Sequence, residues 1–247
     1  MNVSHFDPIE IRSTIKWYFE SKNVSLRKAL QIRGPLSTDQ HNDLRVFYSQ
    51  YVTSLVSAVE ALLEKEYPFS EHFRGLLHRE FVIGDYSDGE QNYAYLKELR
   101  NSVVHRGEDI AGRGSLTPAG LHLLHVPPKM STRNGKATYQ AFSPLLLGIA
   151  ALCESLIGRL ILRHFEENDL LQPRTDYEAW VANMQAHVVS DSSIPDFVKQ
   201  QLPNLLKSVD LQKVEEQDLA SLVRLLSSEH TELLEALREL QEGLSHV

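Results

Sequence analysis

The chain is expected to be mostly α, and three observations say so. Apolar residues recur every three or four positions over most of its length. The segments carrying them open on capping residues and close on Gly or Pro. Extended, β-like composition is confined to one stretch near the middle. The expected architecture is an up-and-down helical bundle over residues 1–168, interrupted by a β-hairpin at about 116–142, then an α-helical C-terminal region over 173–247.

Taken in order, Asp7-Pro8 starts the first helix: Asp accepts from free backbone N–H groups and Pro suits the first helical position. Ile11, Ile15, Tyr18, Phe19, Leu26 and Leu30 form its apolar stripe, with a break expected near Asn23 and Ser25 and an end at Gly34-Pro35. A second helix runs from around Ser37–Asp39 to about Glu66 on Leu44, Tyr48, Tyr51, Leu55, Val59 and Leu62. A shorter one spans Phe69–Phe81, and a loop of Gly, Asp and Ser leads into the segment Gln91–Gly107. Gly120–Val126 and Ala137–Phe142 are the two expected strands, with Pro127-Pro128 and an Asn134-Gly135 turn between them. Ser143-Pro144 opens the most apolar helix, reaching about Phe165, with Ser143 as its cap. Beyond Pro173, helices are expected over Asp176–Val188, Pro195–Leu202, Asp210–Leu226 and Glu229–Leu244. In the last two, Leu219, Val223, Leu226, His230, Leu233, Leu237, Leu240 and Leu244 make a heptad seam, facing either the chain's own bundle or another molecule. Ser227-Ser228-Glu229 can divide it.

Hydrophobic residues at 42% are enough for a real core. No stretch approaches the roughly 18–20 uncharged apolar residues of a membrane span, and MNVSHFDPIEIRS lacks the pattern of a secretory signal, so cytoplasm is expected. A single cysteine excludes an intramolecular disulfide and a multi-Cys zinc site. The net charge of −8 argues against bulk electrostatic binding of nucleic acid. It is unevenly spread: acids crowd the last forty residues, while Arg74, Arg79, Arg100, Arg106, Arg113, Lys129, Arg133 and Lys136 lie in the middle. An anionic partner would meet the middle.

The chemistry concentrates in Gln91–Gly107. At about 100° per residue, Leu96, Leu99 and Val103 share the buried face and Asn101 and His105 fall together opposite, with Arg100 at the border. Imidazole, amide and guanidinium side by side suit an anion: Arg holds phosphate and His moves a proton near neutral pH. Metal-independent RNA cleavage, by attack of a ribose 2′-OH on the adjacent phosphate, needs just such a shuttle and cation. Arg100 and His105 lie about 140° apart around one helix, so two copies across a two-fold axis would serve better than one. Glu60, on a preceding helix, can orient Arg100 or His105; the structural alternative is that it simply pairs with Arg100.

The segment LRNSVVHRG resembles the signature of HEPN domains, an R-x(4–6)-H motif in which a polar residue follows the Arg; Arg100, Asn101 and His105 match. Two long helices before the motif and an apolar one after it are also similar to that family's bundle. The resemblance covers roughly Asp7–Phe165 and does not extend through 166–247. It implies a homodimer joined through the motif helix and RNase activity leaving 2′,3′-cyclic phosphate ends. Arg100 would bind the scissile phosphate, His105 act as acid or base, Asn101 position one of them, and Arg106 contact RNA. The implied setting is a toxin–antitoxin or phage-defence system, with an antitoxin or regulatory protein as partner. The alternative within the family is a non-catalytic module that binds protein, RNA or nucleotide. No cofactor or metal is expected: His122 and His125, three apart in a strand, point to opposite faces, Asp85 and Asp88 lack a calcium loop's length, and Cys153 sits in the most apolar helix.

Overall fold

The computed structural model describes residues 6–174, 176–228 and 230–244; Glu229, from the expected seam break, and the N-terminal five residues lie outside them. It is mostly helical. Helix α1 (Pro8–Gln31) and α2 (Thr38–Leu63) form a long antiparallel pair, followed by α3 (Ser70–Glu80) and α4 (Gly89–Arg106). Four short strands precede α5 (Leu146–Glu167), and α6 (Tyr177–Ser190), α7 (Asp196–Ser208), α8 (Leu211–Ser227) and α9 (Thr231–Leu244) complete the chain.

The first two helices start where expected. Asp7 Oδ1 accepts from Ile9 N at 2.9 Å, and Ser37 and Gln40 form a reciprocal capping box at the start of α2. Helix α1 does not break at Asn23 and Ser25, contrary to expectation. Ser25 Oγ donates to Ser21 O at 2.8 Å, sharing a carbonyl within the helix, and Asn23 Oδ1 accepts from Lys22 Nζ at 2.7 Å, so neither side chain caps a helix end there. The α5 cap is also corrected: Leu145 is the N-cap, without a side-chain bond, and Ser143 Oγ accepts from Leu145 N.

The single long hairpin expected at 116–142 is two separate ones. Strand β1 (Gly114–Leu116) pairs antiparallel with β2 (His122–Leu124), and β3 (Lys129–Ser131) with β4 (Thr138–Gln140). Pro127-Pro128 offers no N–H to a ladder, so the expected strands cannot pair through it and each turns to a neighbour closer in sequence. Asn134-Gly135 does form the β3–β4 turn, with Gly135 at φ 69°.

Tyr48, Tyr51, Val52, Leu55 and Val59 of α2 are fully or almost fully buried. By length and a mean hydropathy of 1.2, α2 is the one described helix that matches a membrane span, and half of that stretch is buried within the bundle. Inside the core, Lys22 Nζ meets Glu154 Oε2 at 2.7 Å, with side-chain exposures of 2% and 8%. Tyr51 O–H donates to Glu154 Oε1 at 3.0 Å. Burial lowers the Lys22 pKa while Glu154 opposes that shift.

The heptad seam faces inward. Of its residues Leu226, His230 and Leu233 are buried, and Leu237 and Leu240 pack partly buried against the core. Leu222 and Ala236 join them from outside the expected seam, and the chain breaks at Ser228 into two helices. A Cβ at Gly158 of α5 would collide with the Leu226 carbonyl, so glycine allows α8 this close. The seam's His230 bonds Asn23 O through Nε2 at 3.2 Å; the side chain of Leu244 lies outside the described residues. The acids of α8 and α9 meet the cations of the N-terminus: Arg12–Glu215 at 2.6 Å, Lys16–Asp218, Arg27–Glu232 at 2.9 Å and Arg33–Glu239 at 2.5 Å. The expected boundary at 168–173 thus falls ahead of α6 and α7, which pack on each other, while α8 and α9 return to the bundle.

A relay of hydrogen bonds ties α3 to α5. Glu167 can only accept, so His72 Nε2 donates to it at 3.1 Å. His72 Nδ1 then accepts from His164 Nδ1 at 2.8 Å, and His164 Nε2 accepts from the Tyr67 hydroxyl at 2.7 Å. Burial first, then the neighbouring His72, lowers the His164 pKa from 6.5 to about 4.

Two outcomes are expected. Glu154→Ala leaves Lys22 a buried unpaired charge and should cost about 3–5 kcal/mol in urea denaturation, whereas Lys22→Met with Glu154→Leu should cost much less. His164 binds its proton more readily unfolded than folded, so its contribution is complete above about pH 6.5 and is lost as pH falls towards 4. Urea midpoints between pH 7 and 4 should therefore fall more steeply in the wild type than in His164→Gln.

Candidate functional site

Helix α4 is fixed at both ends. Asp88 caps it by accepting from Gln91 N at 3.1 Å, and buried Asn92 donates to Phe81 O and Tyr86 O, each at 2.9 Å. Leu96 and Leu99 are in the core, and the Tyr95 hydroxyl donates to Pro127 O at 2.6 Å. The C-terminal turn closes on Gly107 at φ 68°, whose N–H returns to Ser102 O. The motif side chains thus project from a rigid element.

Arg100 and Glu60 come together. Nη2 lies 2.7 Å from Glu60 Oε2, and Lys97 Nζ holds the other carboxylate oxygen at 3.0 Å. The Arg100 side chain is only 13% exposed, and its Nε is buried without a hydrogen-bond partner. Nearby, the buried Tyr93 hydroxyl also lacks one. Burial, with Glu60 adding to it, raises the phenol pKa against the opposing pull of Arg100.

Asn101 and His105 part company. Asn101 Nδ2 donates to Glu98 Oε1 at 3.2 Å, while the imidazole of His105 is exposed and makes no hydrogen bond or ion pair among the described residues. No bond joins His105 to Arg100 or Asn101 within this chain. Arg106 is engaged as well: it donates to Glu98 O at 3.1 Å, Glu98 Oε2 at 3.2 Å and Ser131 O at 2.9 Å. The last bond ties α4 to the β3–β4 hairpin.

Glu98 and Lys97 therefore organise the site as much as Glu60 does. The three-residue step from Glu98 to Asn101 was a readable signal; the eight-residue reach to Arg106 was not. Of the cations in the middle of the chain, Arg74, Arg79, Arg100 and Arg106 are paired with carboxylates. Arg113, Lys129, Arg133 and Lys136 are exposed and make no ion pair among the described residues. His122 and His125 do not converge: His122 Nε2 donates to Gly34 O at 2.8 Å, and His125 borders a cavity beside α4. No cluster of potential metal ligands occurs among the described residues.

Compared with protein-family models, curated proteins and solved structures, the chain gives no match.

Glu60→Ala should leave a largely buried guanidinium without its carboxylate and lower stability by about 1–3 kcal/mol. Arg100→Met together with Glu60→Ala should recover part of that loss; urea denaturation of the two single variants and the pair gives the coupling.

Proposed function

We propose that this chain is a HEPN-type, metal-independent endoribonuclease of the cytoplasm, acting as a homodimer joined through α4. The observation that carries this reading is His105: an exposed imidazole on a rigid helix that makes no hydrogen bond or ion pair among the described residues. Arg100, held at 2.7 Å by Glu60, supplies a preoriented cation on the same helix. About 140° separates the two side chains around α4, and a two-fold axis along that helix brings one copy's His105 towards the other's Arg100.

In the reaction, His105 of one copy takes the proton of the ribose 2′-OH as its oxygen attacks phosphorus. The P–O5′ bond breaks, and the departing 5′-oxygen receives a proton from His105 of the second copy. Arg100 balances charge on the phosphoryl oxygens, and Asn101, steadied by Glu98, positions the strand. The products are a 2′,3′-cyclic phosphate and a 5′-hydroxyl. A defence or toxin–antitoxin role, with an antitoxin as partner, follows from the family resemblance. One observation favours a second reading, a non-catalytic HEPN-like binding module: the Arg100 guanidinium already has a carboxylate and little exposure.

Purified protein incubated with mixed RNA in EDTA should yield cyclic phosphate ends, and His105→Ala and Arg100→Ala should each slow cleavage by about 10²-fold or more. Cleavage undiminished in both variants would place the activity elsewhere. Intact RNA across several substrates would favour the binding module.

A further inference from the structure

A cavity of about 610 Å³ opens beside the motif, between the C-terminal half of α4 and the two segments that flank the β1–β2 hairpin, Glu108–Arg113 and His125–Pro128. Its size is in the range of small-ligand sites. Leu99 and Val103 of α4 form one apolar wall, and Val126, Pro127 and Pro128 another. Three of the polar side chains that line it are unspent among the described residues. Arg113, His125 and Glu108 are exposed, and their side chains make no hydrogen bond or ion pair among the described residues. The other carboxylate, Asp109, is occupied by His41 at 3.0 Å and by Ala111 N.

Apolar walls, two groups able to bind phosphate and one carboxylate without a partner among the described residues match a single unstacked nucleotide. The location matches too. Ser102, which lines the cavity, and His105 are three residues apart on α4, about 4.5 Å along the axis and 60° around it. From the rim at Pro128 the chain continues into Lys129 and the β3–β4 hairpin. There Lys129, Arg133 and Lys136 are exposed without ion pairs among the described residues, and Ser131 O is bonded to Arg106. A strand with a base in the cavity would have cations along its neighbouring phosphates.

We propose that this cavity receives one nucleotide of single-stranded RNA, its base between the apolar walls and its phosphate on Arg113 and His125. Glu108 accepts from the exocyclic amino group of the base, so adenine, cytosine and guanine are favoured over uracil, which has none. RNA as the source of the nucleotide rests on the ribonuclease reading; the pocket itself does not.

The test separates the two. Full-length protein is titrated with AMP, CMP, GMP and UMP by calorimetry, beside Arg113→Ala, Glu108→Ala and the occluding Pro128→Trp, all at exposed positions and checked for folding by circular dichroism. At least one amino-bearing nucleotide should bind tenfold or more tighter than UMP. Arg113→Ala should weaken it at least tenfold, Glu108→Ala should erase the discrimination, and Pro128→Trp should abolish binding. Binding that survives Pro128→Trp, UMP binding as tight as the rest, or no binding at all would overturn the proposal. Nucleotide binding as described with RNA left uncut would keep the pocket and remove the ribonuclease reading. His105-dependent cutting at sites unchanged by Arg113→Ala and Pro128→Trp would keep the ribonuclease and remove the pocket.

Discussion

The buried pair of Lys22 and Glu154 constrains the whole bundle. An ammonium and a carboxylate at 2.7 Å, out of water, tolerate little misalignment, because separation would leave each an uncompensated charge in the core. The Tyr51 hydroxyl donates to the other carboxylate oxygen and Asn23 Oδ1 takes a second ammonium proton, so three helices must agree on one register. Helices α1, α2 and α5 are fixed by this cluster in a way that apolar packing alone, being non-directional, would not impose. Glu60 projects from α2 on that fixed frame, and Arg100 is seated against it.

Most of the helical framework was legible because its signals are local. Asp7-Pro8, Ser37 and Gly107 announce helix ends through their own backbone chemistry. Apolar spacing revealed the buried faces of α2, α4 and α5. What was not legible depends on partners far along the chain. The break expected at Asn23 and Ser25 rested on intrinsic preference, which their side chains escape by bonding within α1. The two hairpins exceeded what alternation and a turn signal could specify, since pairing is decided by which backbone donors are left. At the site, Glu60 beside Arg100 was anticipated as one possibility, and the division of labour around Glu98 was not. The cavity was invisible, because its walls come from segments that only the fold brings together.

The charge pattern acquires a clearer meaning in three dimensions. The acidic C-terminal helices lie along α1, where Arg12, Lys16, Arg27 and Arg33 neutralise part of their charge. Those four N-terminal cations are thereby committed within the chain, whereas Arg113, Lys129, Arg133 and Lys136, on and near the hairpins, make no ion pair among the described residues. Net charge describes the average and conceals this segregation: a −8 protein can still offer a local positive edge.

The pairing of Arg33 with Glu239 spans 206 residues. During synthesis at about 5–20 residues per second, α1 waits on the order of ten to forty seconds before its last partners leave the ribosome. Over that interval its cations and the apolar surface meant for Leu226, Leu233 and Ala236 stay uncovered. The bundle is thus completed only when α8 and α9 arrive, and a translation product interrupted before them would carry its N-terminal helix exposed, as a target for chaperones and proteases.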